Sequence, residues 1–142
     1  MDIFYFCPLW GSEHMELPGF IKRVINTGYD GVEIAIPFDK KFELELRTLL
    51  YKTGLKLIEH QHLPPKNETV DEYIRRLEGF LEYLISFNPI FINSHTGRDF
   101  FTSFDQLQLQ QAKIHLAVLA QIGGNGAAAL NMGEAEEQLR NT

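Results

Sequence analysis

The sequence predicts an α/β fold built on a parallel sheet, and three observations lead to this prediction. Short apolar runs rich in β-branched and aromatic residues alternate with longer stretches in which apolar residues recur at helical spacing. The repeat is about 30 residues long, which is the size of a βαβ unit. Polar side chains follow the apolar runs and not the helical stretches, as is typical of parallel sheets that bind ligands at the carboxyl ends of their strands.

The first predicted unit is a buried strand followed by an amphipathic helix. The strand is near residues 3–7, and Pro8 and Gly11 end it before a loop that carries Trp10. Gly28 closes the helix, because glycine favours the left-handed backbone at a helix end. The apolar stripe of this helix consists of Leu17, Phe20, Ile21, Val24 and Ile25.

The second and third units repeat the pattern. A strand is predicted near residues 32–36, and Glu33 is the one carboxylate in that apolar run. The next helix ends at Thr53-Gly54. A third strand is predicted near residues 55–60, and it runs directly into the polar sequence His60-Gln61-His62.

The fourth unit has the strongest helix signal in the chain. Thr69 and Glu72 have the spacing of a capping box, and they open a long amphipathic helix that Asn88-Pro89 closes. A fourth strand is predicted near residues 90–94, and the polar residues that follow it include His95, Arg98 and Asp99.

The character of the sequence changes after about residue 105. We therefore predict a domain at 1–105 and a helical or flexible tail of uncertain fold at 106–142. The run 114–122 is apolar almost throughout and fits either a helix or a strand. The Gly-rich segment at 123–129 lacks the ending of a phosphate-binding P-loop and the spacing of a dinucleotide fingerprint, and this favours a linker.

Composition excludes several classes of protein. With 142 residues and 44% hydrophobic content, the chain can bury one sizeable core. A net charge of −6 argues against general binding to nucleic acid or to anionic membranes. Cys7 is the only cysteine, which excludes an internal disulfide and fits a reducing compartment. The apolar run at the amino terminus is too short for a signal peptide or a membrane span, so we expect a cytoplasmic protein.

The chain resembles the amino-terminal half of the sugar phosphate isomerase and epimerase family, which belongs to the xylose-isomerase-like TIM barrels. The resemblance covers roughly residues 1–105. The motifs that carry it are Phe6 to Trp10-Gly11, Gly28-Tyr29-Asp30-Gly31-Val32-Glu33, His60-Gln61-His62 and Asn93-Ser94-His95-Thr96-Gly97.

The resemblance implies parallel (β/α) repeats that form about half of a TIM barrel. Family members bind a divalent metal (Mn, Mg, Co or Zn) at the carboxyl face of an eight-unit barrel, where the metal polarises a sugar carbonyl while carboxylates move protons. The usual metal ligands of the family lie mainly on later strands, so the main ligands are expected to be absent from this chain. A full barrel takes about 250 residues, and 142 residues make about half of one.

By position in these motifs, Glu33 is the candidate catalytic residue. The candidate substrate-binding residues are Trp10, His62, His95 and Arg98. His62 is preferred to His60 because it stands at the strand end. Glu33, His62 and His95 are also candidates for accessory-metal contacts, since related apurinic endonucleases place histidines on early strands against zinc. The expected partner is a small sugar or sugar phosphate.

Three functional hypotheses follow from the resemblance. The first is an isomerase or epimerase scaffold that is active only when a partner chain or a second copy completes the barrel. The second is a noncatalytic relative that serves as an oligomeric or small-molecule-binding module. The third is a gene fragment or altered reading frame whose tail, from about Gln106, never belonged to the fold. Because half a barrel leaves strand edges and an apolar face open to water, we expect a homo-oligomer.

Overall fold

The computed structural model describes residues 2–64, 66–95, 102, 104–105, 107–112 and 129–130. It contains strands β1 (Phe6–Pro8), β2 (Gly31–Ile34), β3 (Lys56–His62), β4 (Phe91–His95) and β5 (Ala129–Leu130). The helices are α1 (Leu17–Asn26), α2 (Lys40–Thr53) and α3 (Val70–Ile85). Residues 104–105 and 107–112 are also helical. Within the described ranges, no helix is long and apolar enough to cross a membrane.

The predicted α/β fold is confirmed, because helices alternate with the strands of a parallel sheet. The strand order follows the chain, β1-β2-β3-β4-β5. The registers of β1 with β2 and of β2 with β3 are parallel, with Glu33 opposite Pro8 on one side and Ile58 on the other. β5 also pairs in parallel with β4, and it lies in a part of the tail, residues 129–130, where no strand was predicted.

The described residues form two compact units, Met1–His60 and Gln61–Thr142, and β3 lies across their boundary. The division predicted at 105/106 is a different one, and it stays a prediction because most of residues 96–142 lie outside the described ranges. The first unit buries the inner face of α1 and one residue of α2. Its fully buried apolar side chains are Phe20, Ile21, Val24, Val32, Ile34 and Leu46.

The second unit is organised by α3, and its predicted capping box is present. The Thr69 hydroxyl accepts from the Glu72 backbone N–H, and the Glu72 carboxylate accepts from the Thr69 backbone N–H at 2.8 Å. The guanidinium of Arg76 donates to the Glu68 carboxylate and to the Pro64 carbonyl, which ties the loop before α3 to the helix. Ser94 Oγ donates to the buried Gln61 Oε1 at 2.6 Å, so the polar run after Ile92 has a structural role as well.

The first strand differs from its prediction, which placed a buried strand near residues 3–7. β1 begins only at Phe6 and is half-buried, and Ile3 and Tyr5 are 66% and 64% exposed. The physical reason lies in Asp30, whose side-chain Oδ2 accepts from the Tyr5 N–H at 2.8 Å. Because a carboxylate takes the place of a strand carbonyl at Tyr5, the regular ladder starts at the next residue, Phe6.

Candidate functional site

The segment Gly28-Tyr29-Asp30-Gly31 places β2 between its two neighbours. Gly28 has φ +79°, a left-handed conformation that ends the turn after α1. The Asp30 N–H donates to the Tyr5 carbonyl at 2.8 Å, so Asp30 bonds to Tyr5 through both its backbone and its side chain. A Cβ on Gly31 would collide with the Lys56 carbonyl oxygen and with the Phe6 ring, so only glycine fits between these strands.

The carboxyl ends of β1, β2 and β3 surround a cavity of about 280 Å³, which we call the carboxyl-end cavity. It lies within the first unit and is lined by Leu9, Trp10, Glu13, Glu33, Ala35 and His60. The backbone hydrogen bond from Leu9 N–H to the Glu33 carbonyl, 2.9 Å long, continues the pairing of β1 with β2 up to this cavity. The loop that follows β1 therefore leaves the sheet directly beside Glu33.

Strand alternation explains why Glu33 and His60 line the same cavity. Glu33 is opposite Ile58 in the register of β2 with β3, so these two residues share a face of the sheet. His60 is two positions beyond Ile58 and therefore also points to that face. Both residues are half-buried, and Nε2 of His60 is itself buried, so a small molecule in the cavity can reach Glu33 and only part of the His60 ring.

The cavity combines an aromatic surface with polar groups of complementary type. Trp10 is 72% exposed, so its indole is available as an apolar platform at the cavity. Glu13 and Glu33 provide carboxylate oxygens that accept hydrogen bonds, and the imidazole of His60 can donate or accept. This arrangement suits a polyhydroxylated ligand with one apolar face, because hydroxyls donate to carboxylates and C–H groups lie against aromatic rings.

The structure brings together two of the five predicted site residues, Trp10 and Glu33. His62 is exposed at the end of β3 and falls in the second unit. His95 is the last residue of β4, but its side chain is not described, and Arg98 lies outside the described residues. The roles assigned to His62, His95 and Arg98 therefore stay predictions.

Sequence reasoning missed two residues that line this cavity, His60 and Glu13. The signal for His60 was present, because a period of two places it on the same face as His62 and closer to Glu33. Glu13 lies in the loop after β1, where no periodic pattern reports the direction of a side chain.

Sequence reasoning also assigned no role to Glu59, which lies on the opposite, buried face of β3. Glu59 is fully buried, and neither of its carboxylate oxygens has a hydrogen-bond partner among the described residues. Burial raises the pKa of this carboxyl to about 9, and the attraction of Arg47 on α2 only partly opposes the shift. Glu59 is therefore protonated and neutral at pH 7.

The described residues of the carboxyl-end cavity do not converge as a metal site made of protein ligands alone. A metal site built from side chains alone usually has three or more ligands that converge on one point. In the part of the chain that the structure describes, no three His, Cys, Asp or Glu side chains form such a group. We accordingly derive no chemical step through a metal, and the metal implied by the family resemblance stays a prediction.

Comparison of the chain with protein-family models, with curated proteins and with solved structures finds no match. The family resemblance of the motifs therefore also stays a prediction.

Proposed function

We propose that the carboxyl-end cavity binds a carbohydrate-type small molecule, a sugar or a sugar phosphate. The observation that carries the proposal is the cavity itself, in which an exposed indole, two carboxylates and an imidazole come together from three neighbouring strands and their loops. Ligands of parallel α/β proteins bind at this end of the sheet. The motif resemblance to sugar isomerases and epimerases supports the same class of ligand.

Each group in the cavity has a distinct role in binding such a ligand. The Trp10 indole covers the apolar C–H face of the sugar. The carboxylate of Glu33 accepts from a sugar hydroxyl, and such charge-assisted hydrogen bonds are stronger than neutral ones. His60 bonds to a second hydroxyl or to the carbonyl oxygen. Because Glu13 and Glu33 are both anionic, this end of the site favours the neutral part of the sugar over a phosphate group.

We further propose that the chain is half of an isomerase or epimerase barrel and turns over sugar only when a partner chain or a second copy completes it. Proton transfer between neighbouring carbons or oxygens needs two positioned acid–base groups, and Glu33 supplies one of them. The second is expected on the strands that complete the barrel. If the chain is instead a noncatalytic binding module, it binds the same sugar in this cavity, but it does not convert the sugar even when a partner chain or a second copy is bound.

Binding of a ketose is expected to shift the fluorescence emission of Trp10 to shorter wavelength. Trp10 is the only tryptophan, so selective excitation reports on this cavity alone. Its exposed indole passes from water to the face of the sugar when a ligand binds. Titration with D-fructose, D-xylulose and D-psicose measures the affinity for each. Glu33→Gln should weaken binding about tenfold, because it replaces a charged acceptor by a neutral one.

The matched control for this titration is Glu82→Gln, which changes an exposed carboxylate on α3. It should bind the sugars as the wild type does. If none of the sugars changes the emission, or if the two variants lose affinity equally, the cavity is not the sugar site.

The isolated chain is expected to interconvert little or no sugar, even with added manganese, magnesium, cobalt or zinc. The described cavity holds one carboxylate on a strand, Glu33, and no group of three metal ligands is present among the described residues. The measurement is conversion of a panel of ketoses in the presence of each metal. Robust turnover that Glu33→Gln abolishes would show that the site is complete without further strands, and it would contradict this half of the proposal.

A further inference from the structure

A second cavity lies at the opposite end of the first two strands. It has a volume of about 430 Å³ and is lined by Tyr5, Cys7, Arg23, Thr27, Gly28 and Tyr29. Tyr5 directly precedes β1, and Thr27 to Tyr29 connect α1 to β2, so this amino-end cavity lies in the first unit. It shares no lining residue with the carboxyl-end cavity. Its volume is within the range of about 300–1,000 Å³ that is typical of small-molecule sites.

The amino-end cavity has the opposite charge from the rest of the chain. Arg23 is the only charged residue among the described residues that line it, whereas the chain as a whole carries a net charge of −6. The salt bridges among the described residues use Lys40, Arg47 and Arg76, and none uses Arg23. The Arg23 side chain makes a long hydrogen bond, in which Nη1 donates to Met15 Sδ at 3.8 Å.

A structural role alone explains only part of this arrangement. Arg23 lies in the last turn of α1, where a cation interacts favourably with the negative end of the helix. That role explains the residue type but leaves the planar donor fork of the guanidinium available to an anion. A fork of this kind binds carboxylate and phosphate groups with two hydrogen bonds.

The shape of the cavity favours a ligand with a flat ring. Two partly exposed phenol rings line it, those of Tyr5 and Tyr29, which are 64% and 38% exposed. Asp30 holds the backbone of Tyr5 through two hydrogen bonds of 2.8 Å. At Gly28 an added Cβ would meet no atom within 4 Å, so the cavity is open at that point. Aromatic side chains bind flat rings by stacked or edge-on contact.

We propose that the amino-end cavity binds a small planar anion, an aromatic carboxylate or phosphomonoester. Arg23 bonds to the anionic group, and the rings of Tyr5 and Tyr29 contact the aromatic ring. This site is separate from the proposed sugar site and does not depend on it.

The single cysteine makes this inference directly testable in the full chain. Cys7 lines the amino-end cavity and is partly accessible, so alkylation of its thiol by iodoacetamide reports on occupancy of the cavity. We expect benzoate and phenyl phosphate to slow alkylation several-fold in a saturable manner. Benzyl alcohol, which lacks the charge, and acetate or inorganic phosphate, which lack the ring, should protect far less.

Arg23→Gln should weaken protection by benzoate at least tenfold, because it removes a charge-assisted hydrogen bond. The matched control is Arg75→Gln on α3, which changes an exposed arginine that does not line the cavity. In this variant, benzoate should protect Cys7 from alkylation as well as it does in the wild type. Unfolding curves of both variants verify that each is folded.

Three results would overturn the inference. The first is that neither benzoate nor phenyl phosphate changes the rate of Cys7 alkylation. The second is that benzoate protects Cys7 equally in Arg23→Gln and in the wild type. The third is that inorganic phosphate alone protects Cys7 as well as phenyl phosphate does. The Trp10 titration with sugars is read from a different residue and a different cavity, so failure of one site is distinguishable from failure of the other.

Discussion

Replacement of Glu59 by glutamine is expected to stabilise the protein, and the gain should grow as the pH rises. Glu59 is fully buried on β3, and its carboxylate oxygens have no hydrogen-bond partner among the described residues. Its register partner on β2 is Ile34, which is apolar and also buried. An ionised carboxylate in such a place is costly, and glutamine has nearly the same shape without the charge.

The pH dependence follows from the direction of the pKa shift. Burial raises the folded-state pKa of Glu59 from an ordinary value of 4.5 to about 9. Below 4.5 the carboxyl is protonated in both the folded and the unfolded chain, and the wild type keeps its full stability. Between 4.5 and 9 only the unfolded chain has lost the proton, so the free energy of unfolding falls as the pH rises. The total loss is on the order of several kcal/mol, at roughly 1.4 kcal/mol per pKa unit.

Chemical denaturation of the wild type and of Glu59→Gln across this pH range measures the effect. The difference in unfolding free energy should be small at acid pH and largest near pH 9. Glu82→Gln on α3 is the control, because its carboxylate is exposed and the substitution should leave the slope with pH unchanged. A wild-type stability that stays level from neutral pH to pH 9 would show that Glu59 is not held neutral in the folded chain.

Replacement of Gly31 by alanine is expected to destabilise the first unit severely. Gly31 lies between two neighbouring strands, opposite Phe6 of β1 and Lys56 of β3. A methyl group there would collide with the carbonyl oxygen of Lys56, which is a backbone atom and cannot move without displacing its strand. Overpacking in a well-packed core costs about 1–3 kcal/mol, and because backbone must move here we expect about 3 kcal/mol or more.

The matched control is the same substitution at Gly79, which lies inside α3. An added Cβ there meets nothing within 4 Å, and alanine is the better helix former by about 1 kcal/mol. Denaturant titrations of the two variants should therefore move in opposite directions from the wild type. Loss of stability at Gly79 as large as at Gly31 would mean that added volume in general, and not the closeness of the strands, is responsible.

The alternation of helices with the strands of a parallel sheet was predictable because it depends on signals that are local in sequence. The two ends of α3 are set by the Thr69 and Glu72 capping box and by the turn before Pro89, which involve nearest neighbours along the chain. The first strand was misplaced for a non-local reason, since the side chain that shifts its start, Asp30, is 25 residues from Tyr5. No local pattern reports such a contact.

The candidate site was predictable only as far as strand alternation and strand ends could lead. Glu33 was chosen by its position in the motifs, as the one carboxylate of an apolar strand, and it lines the cavity. His62 was preferred to His60 because it is nearer the strand end. In the sheet, Glu33 lies opposite Ile58, and His60 is two positions beyond Ile58 on the same face, so His60 lines the cavity with Glu33. Cavity walls that come from loops, such as Glu13, depend on the three-dimensional path of the chain and leave no periodic trace in the sequence.

The contacts of Asp30 and Gly31 also bear on what the short phrase Gly28-Tyr29-Asp30-Gly31 can say about ancestry and activity. The Asp30 side chain bonds to the Tyr5 backbone, and the bare backbone of Gly31 lets β2 lie against Lys56. Both residues are thus required by the architecture, and neither lines the carboxyl-end cavity. Proteins that share this phrase are expected to share strand spacing while their reactions differ, because one fold hosts many chemistries. A kinship in activity has to be sought in the residues at positions 10, 13, 33 and 60, which face the cavity.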